Sequence, residues 1–295
     1  MSGDAVSGVQ TPPAADAARW RLRERTLDLS SPRIMAICNV TPDSFSDGGE
    51  HDSVDLALQF VDASVRRGAS IIDLGGESTR PGATPVSVDT EIARVMPVLE
   101  AARERWPDLL ISIDTVKSAV AREALAAGAH AINDVSGGRI DPAILDVVAR
   151  AGAGVVLMHS RGSVSDMASF AHATYGEDVT GDVCAELHAQ AALALRAGIA
   201  HDAIILDPGI GFSKTSAHSL TVLRELRRVT ALGFPVLVGA SRKRFIGELT
   251  GVTEPSRRVV GSAVAHVIAV QRGARLIRTH DVAATSEALA INAAI

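Results

Sequence analysis

Eight short apolar runs in this sequence each end on residues that could do chemistry. The endings are Asn39 followed by TPDSFSDGG, Asp73 followed by GGESTRPG, Asp114-Thr115, Asn133-Asp134 followed by VSGG, Met158-His159, Asp207-Pro208-Gly209, Ser241-Arg242-Lys243, and Arg278 with His280-Asp281 just after it. A carboxylate, amide or cation so close to an apolar stretch is expensive to strip of water, so its placement asks for a use. Asp114, Asn133 and Asp207 offer acceptors in an apolar setting, which suits the N–H donors of a heterocycle. Arg80, Lys243, Arg278 and His280 offer cationic donors, which suit phosphate. The glycine-bearing segments 41–49 and 78–83 are long enough to move and close over a ligand. Each residue also has a plainer reading: Asp207-Pro-Gly as a turn, Asn133 as an amide serving the backbone, His159 and His280 as core histidines, Cys38 as core, and 241–244 as a solvated basic loop. Recurrence of such groups at the same place after every run favours one shared site.

The elements that must position these groups follow from the same alternation. The runs RIMAICNV (33–40), SIIDLG (70–75), LLISIDT (109–115), HAINDV (130–135), GVVLMH (154–159), AIILDP (203–208), PVLVGA (235–240) and ARLIRT (274–279) are near-continuously apolar, as parallel strands covered on both faces are. The stretches between them read as helices; in 54–65, Val54, Ala57, Leu58, Val61 and Val65 share one helical face. Glycine stands before six of the seven later strands, at Gly68, Gly128, Gly152, Gly198, Gly233 and Gly273, and Trp106-Pro107 serves the seventh junction. A left-handed helix C-terminus suits glycine, and proline stops a helix outright. Eight such units predict a (β/α)8 TIM barrel, whose catalytic groups gather at the C-terminal ends of the strands. An open doubly wound sheet is the alternative, but no Gly-rich turn follows the first strand. Gly209-Ile-Gly211 lacks the third glycine of a dinucleotide fingerprint, and Ser213-Lys214-Thr215 lacks the glycine of a P-loop, so both nucleotide motifs are set aside.

Residues 20–31 alternate enough for an N-terminal hairpin closing the barrel, with an irregular lead-in as the competing reading. Residues 1–18, rich in Ala, Pro, Ser and Gly, read as a disordered tail, and 19–295 as one domain. Lys and Arg total 29 against 34 Asp and Glu, a formal net charge of −5, which argues against a generic nucleic-acid coat. The two cysteines, Cys38 and Cys184, imply no disulfide framework and fit a reducing compartment. With neither a secretory signal nor a membrane span in view, a cytoplasmic location is expected.

At these residues the sequence resembles the dihydropteroate synthases, the folate-pathway enzymes targeted by sulfonamides. The matching segments are NVTPDSFSDGG (39–49), IIDLGGESTRPGA (71–83), SIDT (112–115), INDVSGG (132–138), LMH (157–159), ILDPGIGFSKT (205–215), PVLVGASRKRFIG (235–247) and RTHD (278–281). The resemblance implies condensation of 6-hydroxymethyl-7,8-dihydropterin diphosphate with 4-aminobenzoate, release of pyrophosphate and a need for Mg²⁺. It implies that Asp114, Asn133, Asp207 and Lys243 grip the pterin with Met158 beside it. Asn39, Arg278 and His280 would hold the diphosphate and its Mg²⁺, Asn39 being the metal candidate. Thr79, Arg80, Phe212 and Ser241 would lie towards aminobenzoate, and Phe45, Ser46 and Asp47 would complete the site from the first loop. Asp114, Lys243, Arg80 and Asp47 are the catalytic candidates. The expected order of binding is pterin diphosphate first, with the loops closing over it. A homodimer is expected through barrel helices of the C-terminal half, with 259–270 as the candidate surface.

The sequence departs from the family's pattern at Ala36, at Thr279 and in 160–170, where a proline common in the family is missing. Two other functions compete: a catalytically silent pterin-binding module, and a corrinoid-dependent methyltransferase using a folate. Neither needs the 41–49 and 78–83 segments as they stand here.

Overall fold

The computed structural model describes residues 18–41, 50–78 and 84–295, the side chains of 50–53 excepted. The tail 1–17 lies outside the described residues, as do Phe45, Ser46, Asp47, Thr79 and Arg80. A two-stranded antiparallel hairpin comes first, β1 (Arg19–Leu22) and β2 (Arg25–Asp28). The hairpin reading of 20–31 therefore holds over the lead-in. Ala18, assigned to the tail by composition, already accepts the Leu29 N–H at 2.7 Å.

Eight strands then alternate with helices: β3 (Arg33–Asn39), β4 (Ile71–Gly75), β5 (Leu110–Asp114), β6 (Ala131–Asp134), β7 (Gly154–Met158), β8 (Ile204–Asp207), β9 (Leu237–Val238) and β10 (Leu276–Thr279). Their neighbour order β8-β7-β6-β5-β4-β3-β10-β9 is parallel wherever the strands pair. A parallel bridge between Leu206 and Val236 closes the ring. The closure is thin because Pro235 has no N–H to give the ladder; its carbonyl accepts from Leu206 N at 3.0 Å instead. The six predicted junction glycines all take left-handed φ, from 60° to 102°.

Side chains alternate along each strand. One set packs outward against the helices α1 (Glu50–Arg66), α2 (Val88–Arg105), α3 (Ser118–Ala126), α4 (Ala143–Ala151), α5 (Val179–Arg196), α6 (Ser216–Arg224), α7 (Leu226–Thr230), α8 (Arg244–Thr250), α9 (Val259–Gln271) and α10 (Val282–Ala294). The inward set changes character along the barrel axis. Its lower layer takes one apolar side chain from every strand: Met35, Ile71, Leu110, Ala131, Val156, Ile205, Leu237 and Leu276. Two to four residues further on, the same faces carry Asn39, Asp73, Asp114, Asn133, Met158, Asp207 and Arg278. The barrel is thus a dry plug at one end and a polar bowl at the other.

The hairpin seals the dry end. Trp20 and Leu22 insert beneath the lower layer, and the Trp20 indole N–H donates to the Ala203 carbonyl at 2.9 Å. A Cβ on Gly154 would stand 2.6 Å from Leu22 Cδ2 and 2.9 Å from the Trp20 ring. Overpacking of this kind costs about 1–3 kcal/mol. Gly154→Ala is therefore expected to lower the melting temperature by several degrees, with substrate affinity at the far end of the barrel unchanged. A Gly154→Ala melt that overlays wild type would show that the hairpin is not packed against β7.

Candidate active site

Strand register decides which polar groups meet. Cα partners run Asn39–Gly75–Asp114–Asn133 across β3 to β6, so these residues form one row at the rim, and Met158 pairs with Asp207 across β7 and β8. Gly75 leaves room in that row: a Cβ there would lie within 3.5–3.8 Å of the Asp114 side chain and the Asn39 Oδ1. The row opens into a cavity of about 590 Å³ that is also lined by Phe212, Ser241, Lys243, Arg278 and His280. Every predicted site residue within the described segments therefore converges on one cavity.

Arg278 is the hub of its floor. Its Nε donates to Asp73 Oδ2 at 2.7 Å and its Nη2 to Asp114 Oδ2 at 2.6 Å. The amide of Asn133 donates to the same Asp73 oxygen at 2.9 Å, so its carbonyl oxygen remains as an acceptor. Asp73 is fully buried and takes no part in lining the cavity. It acts as a strut orienting Asn133 and Arg278 from below. Burial pushes the Asp114 carboxyl up to about 7; Arg278 works against that rise, while Asp73, Glu91 and Asp134 add to it. Asp207 is likewise raised by burial, to about 6, and is held down by the Gly209 N–H and by the charges of Lys243, Arg278 and Lys214.

Lys243 adds a second cation to the cavity lining. Its Nζ lies 3.8 Å from the centre of the Phe212 ring, a cation–π contact. Burial pushes this amine down to about 8, with Asp207 opposing the change. Ser241 and Lys243 flank Arg242, which takes a left-handed φ of 59°. That conformation is unfavourable for a side chain with a Cβ. It is held by paired bonds from Arg242 to Asp281, at 2.9 and 2.5 Å, and by Ser262 Oγ accepting the Arg242 N–H at 2.9 Å. Ser241 Oγ meets His280 Nδ1 at 3.0 Å. Burial, with Arg242 and Arg278 nearby, pushes His280 down to about 3, so it is a neutral ring.

The base of the second glycine-bearing segment is anchored. Lys117 Nζ bridges Glu77 at 3.1 Å, the Val86 carbonyl at 2.8 Å and buried Glu91 at 2.6 Å. His159 proves to be the core histidine of the two; it is fully buried and turned away from the cavity. Two residues of consequence were missed by the sequence reading as site groups. Asp73 was visible as a carboxylate inside an apolar run, but nothing local identified its partners. Lys214 stands in the sequence as part of a broken nucleotide motif, and its amine is buried beneath the 209–212 loop.

A barrel whose rim cavity gathers both buried acceptors and cations belongs to the class that grips a heterocycle bearing an anionic group. The pterin-binding enzyme family model matches residues 35–280. Among curated proteins, the dihydropteroate synthase of Synechocystis sp. is 45% identical over 254 residues, covering 86% of each chain. That of Escherichia coli K12 is 45% identical over 266 residues, covering 90% of this chain and 92% of its own. The solved structure of Xanthomonas albilineans dihydropteroate synthase with 4-aminobenzoic acid superposes with a TM-score of 0.87 at 46% identity, covering 94% of this chain and 98% of that one. A Yersinia pestis dihydropteroate synthase in complex with a sulfonamide drug gives 0.86 at 44% identity, covering 94% and 98%. The chain belongs to the pterin-binding enzyme family and, within it, to the dihydropteroate synthases, which are transferases.

Proposed function

We propose that this chain condenses 6-hydroxymethyl-7,8-dihydropterin diphosphate with 4-aminobenzoate, releasing pyrophosphate and forming 7,8-dihydropteroate for folate biosynthesis. The observation that carries the reading is one cavity lined both by acceptors (Asp114, Asn133, Asp207) and by cations (Lys243, Arg278). Asp207 and the Asn133 carbonyl oxygen accept the pterin N–H groups, Met158 and the Lys243 stem pack on the ring, and Arg278 with the His280 ring receives the diphosphate. As the diphosphate leaves, positive charge develops on the pterin methylene. Asp114, paired with Arg278 at 2.6 Å, stabilises it in its ionised form, while the guanidinium faces the departing anion. The amine of aminobenzoate attacks directly, so no enzyme nucleophile is required and the site works by positioning. Phe212 and Ser241 border the aminobenzoate side. Thr79, Arg80, Phe45, Ser46 and Asp47 are assigned to the same end by resemblance alone.

Mg²⁺ fits this donor set. No cluster of three or more His, Cys, Asp or Glu able to hold a metal occurs among the described residues. Mg²⁺ does not require one, because it keeps several waters and takes phosphate oxygens with a single hard protein ligand. The Asn39 side-chain oxygen at the rim is such a ligand; when bound, the ion would neutralise charge on the leaving diphosphate.

The chain acts as a homodimer in this reading. Val260 and Val264 on α9, and Ile291 on α10, expose 78%, 54% and 66% of their surface, apolar groups on two neighbouring helices in keeping with a symmetric interface. Among the described residues no helix is long and apolar enough to cross a membrane, and a cytoplasmic site of action is part of the proposal.

The deciding assay supplies both substrates with Mg²⁺ and follows products. Pyrophosphate and dihydropteroate should appear one for one. A chain that binds the pterin yet releases no pyrophosphate would be a binding module instead. The metal assignment has its own readout: Mg²⁺ should strengthen pyrophosphate binding to wild type in calorimetry, and Asn39→Ala should lose most of that gain. Equal Mg²⁺ dependence in both would move the ion off Asn39.

A further inference from the structure

Lys214 is 1% exposed, its amine included, yet the reaction as described makes no use of that amine. It is enclosed by the chain that leads to it. Residues 207–214 leave β8 through three left-handed positions, Gly209 (64°), Gly211 (79°) and Ser213 (49°). Only glycine fits at 209, where a Cβ would stand 2.0 Å from the His159 carbonyl oxygen. This winding turns two backbone carbonyls inward. Lys214 Nζ reaches the Gly209 oxygen at 3.2 Å, the Phe212 oxygen at 3.2 Å and His159 Nδ1 at 2.8 Å. An ammonium has three N–H donors and no acceptor, so the three partners satisfy it completely. A neutral amine would turn a lone pair towards one of three acceptors.

The array continues outward. With Nδ1 accepting from Lys214, neutral His159 carries its proton on Nε2. That atom lies 3.1 Å from Glu186 Oε2 but off the bonding axis, so the pairing is more electrostatic than directed. Glu186 is held in turn by Arg161, and its side chain is 39% exposed on α5. The outer face of the loop is fixed as well: Ser213 N donates to the Met167 carbonyl at 2.6 Å, and Tyr175 Oη donates to the Ser213 carbonyl at 2.8 Å.

We propose that Lys214 is a positioning residue for the pterin subsite, its ammonium holding the 209–212 loop in the wound shape that presents Asp207 and Phe212 to the ligand, with Glu186 supporting that charge through His159. The inference rests on the assignment of Asp207 to the pterin. The groups facing Lys214 are Asp207 on β8, His159 and Arg161 after β7, Tyr175 in the following loop, Glu186 on α5 and Lys243 after β9. Burial pushes the amine down to about 7; Asp207 and Glu186 act against that fall, while Arg161 and Lys243 add to it. The charged form therefore prevails below that value and is lost above it.

The test is calorimetric binding of 6-hydroxymethylpterin across the range from about pH 6 to 9, with thermal melts alongside. Lys214→Met should bind on the order of tenfold or more weakly at the acid end, the scale of one buried charge-assisted bond. Glu186→Gln, outside the cavity, should match wild type at the acid end. Its affinity should then begin to fall at lower pH than in wild type, because a group that keeps Lys214 charged has gone. A merely structural Glu186 would not move that limb. If Lys214→Met does not fold, Glu186→Gln decides alone. A superimposable Glu186→Gln profile, or a folded Lys214→Met protein binding like wild type, overturns the inference. Asp207→Asn run in parallel separates the two readings: if it too binds like wild type, the pterin assignment fails; if only it loses affinity, the role of Lys214 fails.

Discussion

Arg278→Ala is expected to abolish turnover and to destabilise the fold, more so at about pH 8 than at about pH 6. The guanidinium is the shared partner of two carboxylates, fully buried Asp73 and nearly buried Asp114. Removing one member of a buried ion pair typically costs about 3–5 kcal/mol, because the remaining charge stays uncompensated. The pH dependence follows from Asp114, which burial already raises to about 7 against the pull of Arg278. Without the arginine its carboxyl rises further. A carboxyl raised in the folded state binds protons more tightly folded than unfolded, so stability falls as pH climbs through the folded value. The variant should therefore recover part of its stability on acidification, and melts at the two pH values would show it. Its binding defect should be far larger for the pterin diphosphate than for the pterin alcohol, since the guanidinium meets the leaving group. A melting-temperature loss independent of pH, or equal affinity losses for the two ligands, would contradict this account.

Its cationic side chain suited Arg278 to phosphate and the resemblance assigned it to the diphosphate; its two internal carboxylate partners are a finding of the structure. The contrast marks where sequence reasoning stops. Strand and helix alternation was legible because it repeats: eight short near-continuous apolar runs match strands covered on both faces, and glycine at six helix exits gave the period. The rim residues were legible because a polar group after an apolar run is costly without a use. Asp73 was not, since its role depends on register: it meets Arg278 from β10 and Asn133 from β6, partners 205 and 60 residues away. Lys214 was obscured by its neighbours, which mimic a P-loop until the left-handed turns at Gly209, Gly211 and Ser213 fold the chain back over the amine. The segment 160–178 carries no periodic pattern. Its shape comes from single anchors, buried Met167 and the bonds of Arg161 to Glu186 and of Tyr175 to Ser213. The expected order of binding concerns loops 41–49 and 78–83, most of which lie outside the described residues. What the structure adds there is the Lys117 clamp at the base of the second one.

Asp207→Asn is expected to cost about two orders of magnitude in pterin affinity while leaving the fold intact. One oxygen of Asp207 accepts the Gly209 N–H at 2.7 Å, and the other is left for the ligand. The pterin edge offers two donors, the 2-amino group and N3–H. An asparagine keeps its carbonyl on Gly209 and turns its NH₂ to the ligand, setting donor against donor. Bonds to a charged acceptor are worth about 1.5–3 kcal/mol each, so losing their net effect amounts to about 3 kcal/mol, near a hundredfold. The same argument fixes a pH limb. Burial raises Asp207 to about 6, and the ionised form needed by the ligand exists above that value. Wild-type affinity should therefore fall as pH drops through about 6, approaching tenfold per unit, because a protonated carboxyl also presents a donor. The asparagine variant has no such group and should show no acid limb. Its affinity at neutral pH should resemble that of wild type well below pH 6. Calorimetric titration of 6-hydroxymethylpterin over that range measures both. An acid limb that survives in Asp207→Asn would assign the titration, and with it the pterin contact, to another carboxylate of the cavity, with Asp114 the first to examine.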